Sequence, residues 1–251
     1  MKPSILAIDV GNSSIKWGLF NQGILVGNQR LDLKETLSWE DAWEKFGRDA
    51  HKSIMVCGVV PDVLHRHYEW LKSRCSKVKL VTYVDVPVKI NLENPGLAGI
   101  DRIVASFAAL KLAGQNRAVI VVDAGSAVTV DLATIEDGFL GGAIMPGLKL
   151  MARSLNQYTA QLPEISVNGQ ISQVAGTNTA QAISFGVGNA FLGGVDLLVK
   201  KLETQAGSQA KLFFTGGDGQ LLADHFHSKG DYVPNLVLNG LSLIGEKIAN
   251  E

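Results

Sequence analysis

The chain carries one short pattern twice. "ILAIDVGNSSIKWGLF" at residues 5–20 and "AVIVVDAGSAVTVDLA" at 118–133 each run from an apolar stretch through Asp-x-Gly and a small-residue turn into a second apolar stretch. Short apolar runs punctuated by Gly, Asn and Ser read as buried strands joined by a tight turn. Asp9-Val10-Gly11 corresponds to Asp123-Ala124-Gly125, so each half of the chain opens with the same hairpin. A duplication of this kind constrains the fold to two related α/β halves.

The segments between the hairpins fit that frame. "QGILVGNQRLDL" extends the first hairpin to a meander, and "GFLGGAIMPG" offers a third strand to the second. Ser38 is placed to cap a helix that Gly47 stops, with Trp39, Trp43 and Phe46 on one face as core anchors. Pro61 opens a helix with Leu64, Tyr68 and Leu71 on one face. "SIMVCGVV" and "VKLVTYV" are strands, and "DRIVASFAALKLAG" is an amphipathic helix beginning at Asp101. Helices are expected at about 147–157 and 178–204. The second carries Ala182, Gly186, Ala190 and Gly194 every four residues, a stripe that lets another helix approach closely. "AKLFFTGG" is a late strand and "NLVLNGLSLIGEKIAN" a closing helix. The join is placed near residue 115, giving halves 1–115 and 116–251 with a cleft expected between them.

Composition narrows the function classes. With 46% hydrophobic and 19% charged residues, the chain suits a packed globular enzyme. A formal net charge of −1 supplies no basic field for nucleic acid or an anionic membrane. A small anionic ligand must then be held by local geometry. No signal-peptide pattern is evident, and no apolar stretch is expected to reach the roughly 20 residues of a membrane span. A reducing cytoplasmic setting is expected, with Cys57 and Cys75 as free thiols, although two cysteines also allow one disulfide.

The turns carry the chemistry. Gly11 is read as allowing a backbone conformation closed to other residues, and Asn12, Ser13 and Ser14 as supplying short donors for an anion-binding concavity. Asp9 at the strand end faces the same space. A carboxylate beside phosphate is repulsive unless a cation lies between, so Asp9 is read as holding Mg²⁺, directly or through water. The composition also suits an ordinary hairpin turn. Its recurrence at Asp123 favours two turns gripping one nucleotide across the cleft. Neither a Walker phosphate loop nor a Rossmann fingerprint is present. "FFTGGDG" at 213–219 suits close approach of a flat adenine ring, or is a plain strand-to-helix turn. The pairs His65/His67 and His225/His227 lack a third metal ligand and are expected on the surface.

"DVGNSSIKWG", "NPGLAGIDR", "DAGSAVTVD", "GGAIMPG" and "GTNTAQAISFG", in this order over nearly the whole chain, resemble the type III pantothenate kinases, a Bvg-accessory-factor-like family of the acetate and sugar kinase/Hsc70/actin superfamily. The resemblance implies two ribonuclease-H-like halves and ATP-dependent phosphorylation of pantothenate, the first step towards coenzyme A. It also implies Mg²⁺, a monovalent cation such as K⁺ or NH₄⁺, and a homodimer with substrate pockets at the subunit interface. By this resemblance Asp9, Val10, Gly11, Asn12, Ser13, Ser14, Ile15 and Lys16 contact ATP, as does Ser126, where threonine is commoner. Gly99, Ile100, Asp101 and Arg102 bind pantothenate, with Asp101 as proton acceptor. Asp123 matches the K⁺ ligand and Thr179 a substrate-binding threonine. Leu92 stands where the family often has tyrosine.

In such a reaction Asp101 would serve as a weak base near its ordinary pKa, lowered if anything by the helix start, or else only cap its helix. Arg102 would orient the substrate carboxylate or pair with an acid. Lys16 would reach phosphate or point to solvent. Two other readings stay open: a different kinase or phosphatase on this fold, and a nucleotide-driven binding or filament module.

Overall fold

The computed structural model describes residues 4–47, 53–114, 117–167, 171–172, 174–227 and 229–249. Two compact units emerge: Met1–Leu112 with Asn235–Glu251, and Ala113–Pro234.

In the first unit, β1 (Ile5–Val10), β2 (Ile15–Asn21) and β3 (Ile24–Leu31) form the antiparallel meander, and β4 (Ser53–Gly58) and β5 (Val78–Leu80) join β1 in parallel. The strand order is β3-β2-β1-β4-β5. Every residue of β1 is buried, as expected of a central strand covered on both faces. Period-two alternation sends Leu6, Ile8 and Val10 into one core, with Trp17, Ile54, Val56 and Leu71. This core lies under α1 (Thr36–Ala42) and α2 (Pro61–Lys72). Ile5, Ala7 and Asp9 share the opposite face, which α3 (Ile100–Leu112) and α7 (Leu236–Ile248) cover. A Cβ at Gly245 of α7 would lie 2.9 Å from Ile5 and 3.0 Å from Met55, and one at Gly240 would strike the Val104 carbonyl. The glycines of α7 therefore set how closely it packs.

The closing helix departs from a division at residue 115. Its apolar face completes the first sheet, so that unit is assembled from both ends of the chain. The helix start at Ser38 is also corrected: α1 begins at Thr36 with Glu35 at its N-cap. Ser38 instead donates its hydroxyl to the Glu35 carbonyl, at 2.6 Å. A π-helical turn, Trp43–Gly47, follows.

The second unit repeats the plan. Strands β6 (Ala118–Ala124), β7 (Ala127–Thr134) and β8 (Gly138–Pro146) are an antiparallel meander, and β9 (Lys211–Thr215) and β10 (Gly230–Tyr232) run parallel to β6. The order β10-β9-β6-β7-β8 is the first sheet's order read backwards. Helices α4 (Leu148–Gln157), α5 (Thr179–Ala206) and α6 (Gly219–His225) contribute to one core, with Phe191 and Val195 of α5 against Ile120, Val122 and Val130. By length and composition alone α5 could cross a membrane, which corrects the expectation that no stretch would; it is a sheet-covering helix here, with Val187, Phe191, Val195 and Val199 buried.

Candidate active site

The first Asp-x-Gly turn links β1 to β2 and is closed by the Gly11 N–H donating to the Ser14 carbonyl at 3.1 Å. Gly11 does not adopt a left-handed conformation, and a Cβ there would make an ordinary 3.4 Å contact with Ser14 O. The turn is thus held by its hydrogen bond, not by glycine's freedom as expected. Asn12 and Ser13 are exposed and Ser14 is buried. Val10 and Ile15 are core residues, so only their backbone faces the turn.

Asp9 is 4% exposed. Antiparallel register places Lys16 directly opposite, with Nζ 3.8 Å from Asp9 Oδ2. On the other side of β1, Cys57 of β4 is paired with Asp9. Burial pushes the Cys57 thiol well up, the charges of Asp9 and Asp101 push it further, and Lys16 partly offsets them. Asp9, Lys16, Cys57 and Asp101 therefore form one electrostatic neighbourhood.

Asp101 reaches it from the first turn of α3. A short 3₁₀ turn, Pro95–Leu97, ends the loop that contains half-buried Leu92, and Gly99 leads into the helix. The Asp101 carboxylate folds back so closely that a Cβ at Gly99 would lie 2.5 Å from its Oδ1. Its Oδ1 accepts from the Arg102 N–H at 2.9 Å. Burial raises the Asp101 pKa, opposed by that N–H and by the charges of Arg102 and Lys16. This corrects the expectation of a value at or below the ordinary one: withdrawal from water outweighs the helix start. Half-buried Ile100 and Arg102 flank the carboxylate.

The second turn is built differently. Gly125 N–H donates to the Ala127 carbonyl at 3.0 Å, and Ser126 is exposed at the tip. Gly147 N–H donates to Ser126 O at 3.1 Å, and a Cβ at Gly147 would collide with Gly125 O. Half-buried Asp123 is paired across β9 with Thr215. Gly216 follows at φ 85°, where a side chain would strike the Asp123 carboxylate and the Ala124 carbonyl. Only glycine fits this crossing.

The sequence profile of the type III pantothenate kinases matches residues 5–201. The chain belongs to the type III pantothenate kinase family. A type III pantothenate kinase of Dehalococcoides mccartyi is 31% identical over 97% of this chain and 98% of its own. A Baf-family protein of Campylobacter jejuni superposes with a TM-score of 0.64 at 27% identity, covering 98% of this chain and 100% of its own. A glucokinase from an Antarctic psychrotroph, at 12% identity and a TM-score of 0.50 over 100% of both chains, shares the fold alone. The chain thus has the α/β architecture of two ribonuclease-H-like halves.

Of the residues that the type III resemblance singles out, Asp9, Lys16, Asp101 and their neighbours meet in the first unit, and Asp123 and Ser126 in the second. Thr179 stands at the start of α5, where Asn178 Oδ1 caps the helix by accepting from Gln181 N–H. Thr179 borders a cavity of about 530 Å³ with Pro146, Met151, Leu155 and Ile183. Ala182, Gly186 and Ala190 of the small-residue stripe also line it.

Two features escaped the sequence. Cys57 reads as one more apolar residue of β4, and only parallel register sets it beside Asp9. His67 is fully buried, correcting its expected surface place. It accepts from Trp17 Nε1 at 3.2 Å and is ringed by Trp39 and Trp70. Spacing was the available signal: His67 stands four residues from both Val63 and Leu71, the other buried positions of α2.

Proposed function

We propose that this chain transfers the γ-phosphoryl group of ATP to the primary hydroxyl of pantothenate, giving phosphopantothenate. The observation that carries the reading is the grouping of Asp9, Lys16 and Asp101 on one face of the first sheet, in a chain of this family. Phosphoryl transfer asks chiefly for alignment and charge neutralisation, which fixed charges at strand ends supply.

Asp101 accepts the hydroxyl proton as the oxygen–phosphorus bond forms. Its raised pKa makes it a better acceptor than an ordinary aspartate. Gly99 leaves room for the carboxylate, and Arg102 attracts the substrate's own carboxylate. Gly99 and Ile100 complete the pantothenate contacts of the first unit. The turn from Asp9 to Lys16 holds phosphate, with Val10 and Ile15 contributing backbone only.

The residues present fit the two cations. The buried carboxylate of Asp9, facing the turn, suits Mg²⁺ carried mainly by phosphate and water. At Asp123, the carboxylate and the Ala124 carbonyl flank the space a Gly216 Cβ would fill, a set of hard oxygens suited to K⁺ or NH₄⁺. When bound, these ions supply positive charge to the transferring phosphates. The enzyme is read as a cytoplasmic homodimer, with the exposed small-residue face of α5 as its interface.

The test is ADP release coupled to pantothenate, with and without K⁺, for the native chain and Asp101→Asn. K⁺-dependent turnover that the variant largely loses is expected. Near-normal turnover in the variant would leave Asp101 with a structural role only.

A further inference from the structure

One row of side chains crosses the first sheet beside the β1–β2 turn. Register sets Cys57 of β4, Asp9 of β1, Lys16 of β2 and Arg30 of β3 side by side on one face. Asp9 and Lys16 belong to the proposed nucleotide turn, and Arg30 lies one strand beyond it. Directly opposed residues of an antiparallel pair carry their Cβ atoms about 5 Å apart, so the Arg30 guanidinium and the Lys16 ammonium reach the same space. One row deeper this face is closed: a Cβ at Gly18 would lie 2.9 Å from Leu238 of α7. At the Lys16–Arg30 row the cover ends, since Lys16 keeps 33% of its side chain in water and Arg30 is exposed.

Two cations so placed are electrostatically unfavourable, because like charges directly opposite across strands destabilise a sheet. Asp9, the carboxylate of this row, already faces Lys16, with Nζ at 3.8 Å. Asp32, two residues beyond Arg30, turns its carboxylate to the Lys34 N–H at 2.7 Å. Among the described residues no ion pair or hydrogen bond engages the Arg30 guanidinium.

Neither the fold nor edge protection demands this arrangement. The equivalent row of the second sheet reads Thr215, Asp123, Thr129 and Ile144, without a cation. A charged residue on an edge strand discourages pairing with another chain, yet β8 carries exposed Ile144 at the place of Arg30. A cation facing a cation is accounted for by an anion that both hold, and one with several charged oxygens suits a lysine and an arginine together.

We propose that Arg30 binds the nucleotide's phosphate chain beyond the α-phosphate, together with Lys16. The inference rests on a nucleoside triphosphate being the phosphoryl donor, as read above. Lys16 offers a point charge and Arg30 a planar fork that can bond two phosphate oxygens at once. The repulsion between them in the free enzyme is relieved when the phosphates arrive.

The test is calorimetry on the full-length chain with Mg²⁺, using AMP and the non-hydrolysable triphosphate AMP-PNP as probes, for the native chain, Arg30→Gln and Arg30→Lys. Arg30→Gln is expected to weaken AMP-PNP about 10-fold and AMP by less than about 2-fold. Arg30→Lys keeps the charge without the fork and should fall between the native chain and Arg30→Gln. Without nucleotide, Arg30→Gln should melt at or slightly above the native temperature at low salt, because the repulsion from Lys16 is gone, and the gain should fade as salt is added. A purely structural role for Arg30 predicts the reverse. AMP-PNP affinity unchanged in Arg30→Gln overturns the assignment, as does AMP weakened as much as AMP-PNP. Pantothenate phosphorylation with ATP is measured separately. Arg30-dependent binding of AMP-PNP in a chain that does not phosphorylate pantothenate supports the assignment and overturns the substrate reading alone. Turnover of pantothenate with AMP-PNP binding indifferent to Arg30 overturns the assignment alone.

Discussion

Lys16 and Asp9 face each other across the β1–β2 hairpin, with Nζ 3.8 Å from the carboxylate. The pair sits at the strand ends, where Asp9 is buried and Lys16 keeps about a third of its side chain in water. A cation so placed can neutralise the carboxylate in the free enzyme and turn to phosphate when nucleotide arrives. Solvent screening keeps its contribution to stability small.

Lys16→Met is therefore expected to cost less than about 1 kcal/mol in denaturant unfolding. Its KM for ATP should rise by about 10-fold, the loss of one charge-assisted contact. Steady-state kinetics beside urea melts separate the two, and a variant that loses stability but keeps its KM would refute the phosphate role.

Asp101 should trade stability for activity. Its folded pKa lies above the unfolded value near 3.8, so between the two the folded chain binds more protons, and stability falls as pH rises through that window. Above it, the ionised carboxylate is a net cost. Asp101→Asn is expected to melt at or above the native temperature at pH 7 while turnover collapses. The acid limb of the native kcat/KM profile should lie above the range of an exposed aspartate.

Gly99→Ala probes the same carboxylate from outside. The added methyl would crowd Asp101 Oδ1, so kcat is expected to fall by about 10-fold or more, as for a misplaced reacting group. ATP binding, measured by calorimetry, should be unchanged, because the nucleotide turn is untouched.

His67 makes the first unit acid-sensitive. Burial lowers its pKa from 6.5 to about 3, so below pH 6.5 the unfolded chain takes up a proton that the folded one refuses. The stability His67 confers is complete above pH 6.5 and is lost progressively as pH falls towards 3. His67→Phe should remove this part of the slope. Unfolding midpoints followed by tryptophan fluorescence between pH 4 and 7 would show it, since Trp17, Trp39 and Trp70 surround the ring.

Gly216→Ala places a methyl against the Asp123 carboxylate at a φ of 85°. A loss of about 1–3 kcal/mol is expected from the backbone alone. Activation by K⁺ should weaken in parallel, read as the half-maximal K⁺ concentration in the coupled assay.

Local pattern was enough for much of this protein. Apolar runs, Asp-x-Gly turns and their recurrence fixed the two meanders and the principal helices, because strand alternation and turn chemistry act over a few residues, and five short motifs in order carried the resemblance to the family. Register and burial came only with the tertiary fold. It set Lys16 and Cys57 on either side of Asp9, turned His67 into a core residue, and raised the pKa of Asp101 where helix position alone suggested the reverse. It also sent the closing helix back to the first sheet, whose α3/α7 face needed an apolar cover. Each of these depends on groups distant in the chain excluding water together, and no local window of sequence contains that information.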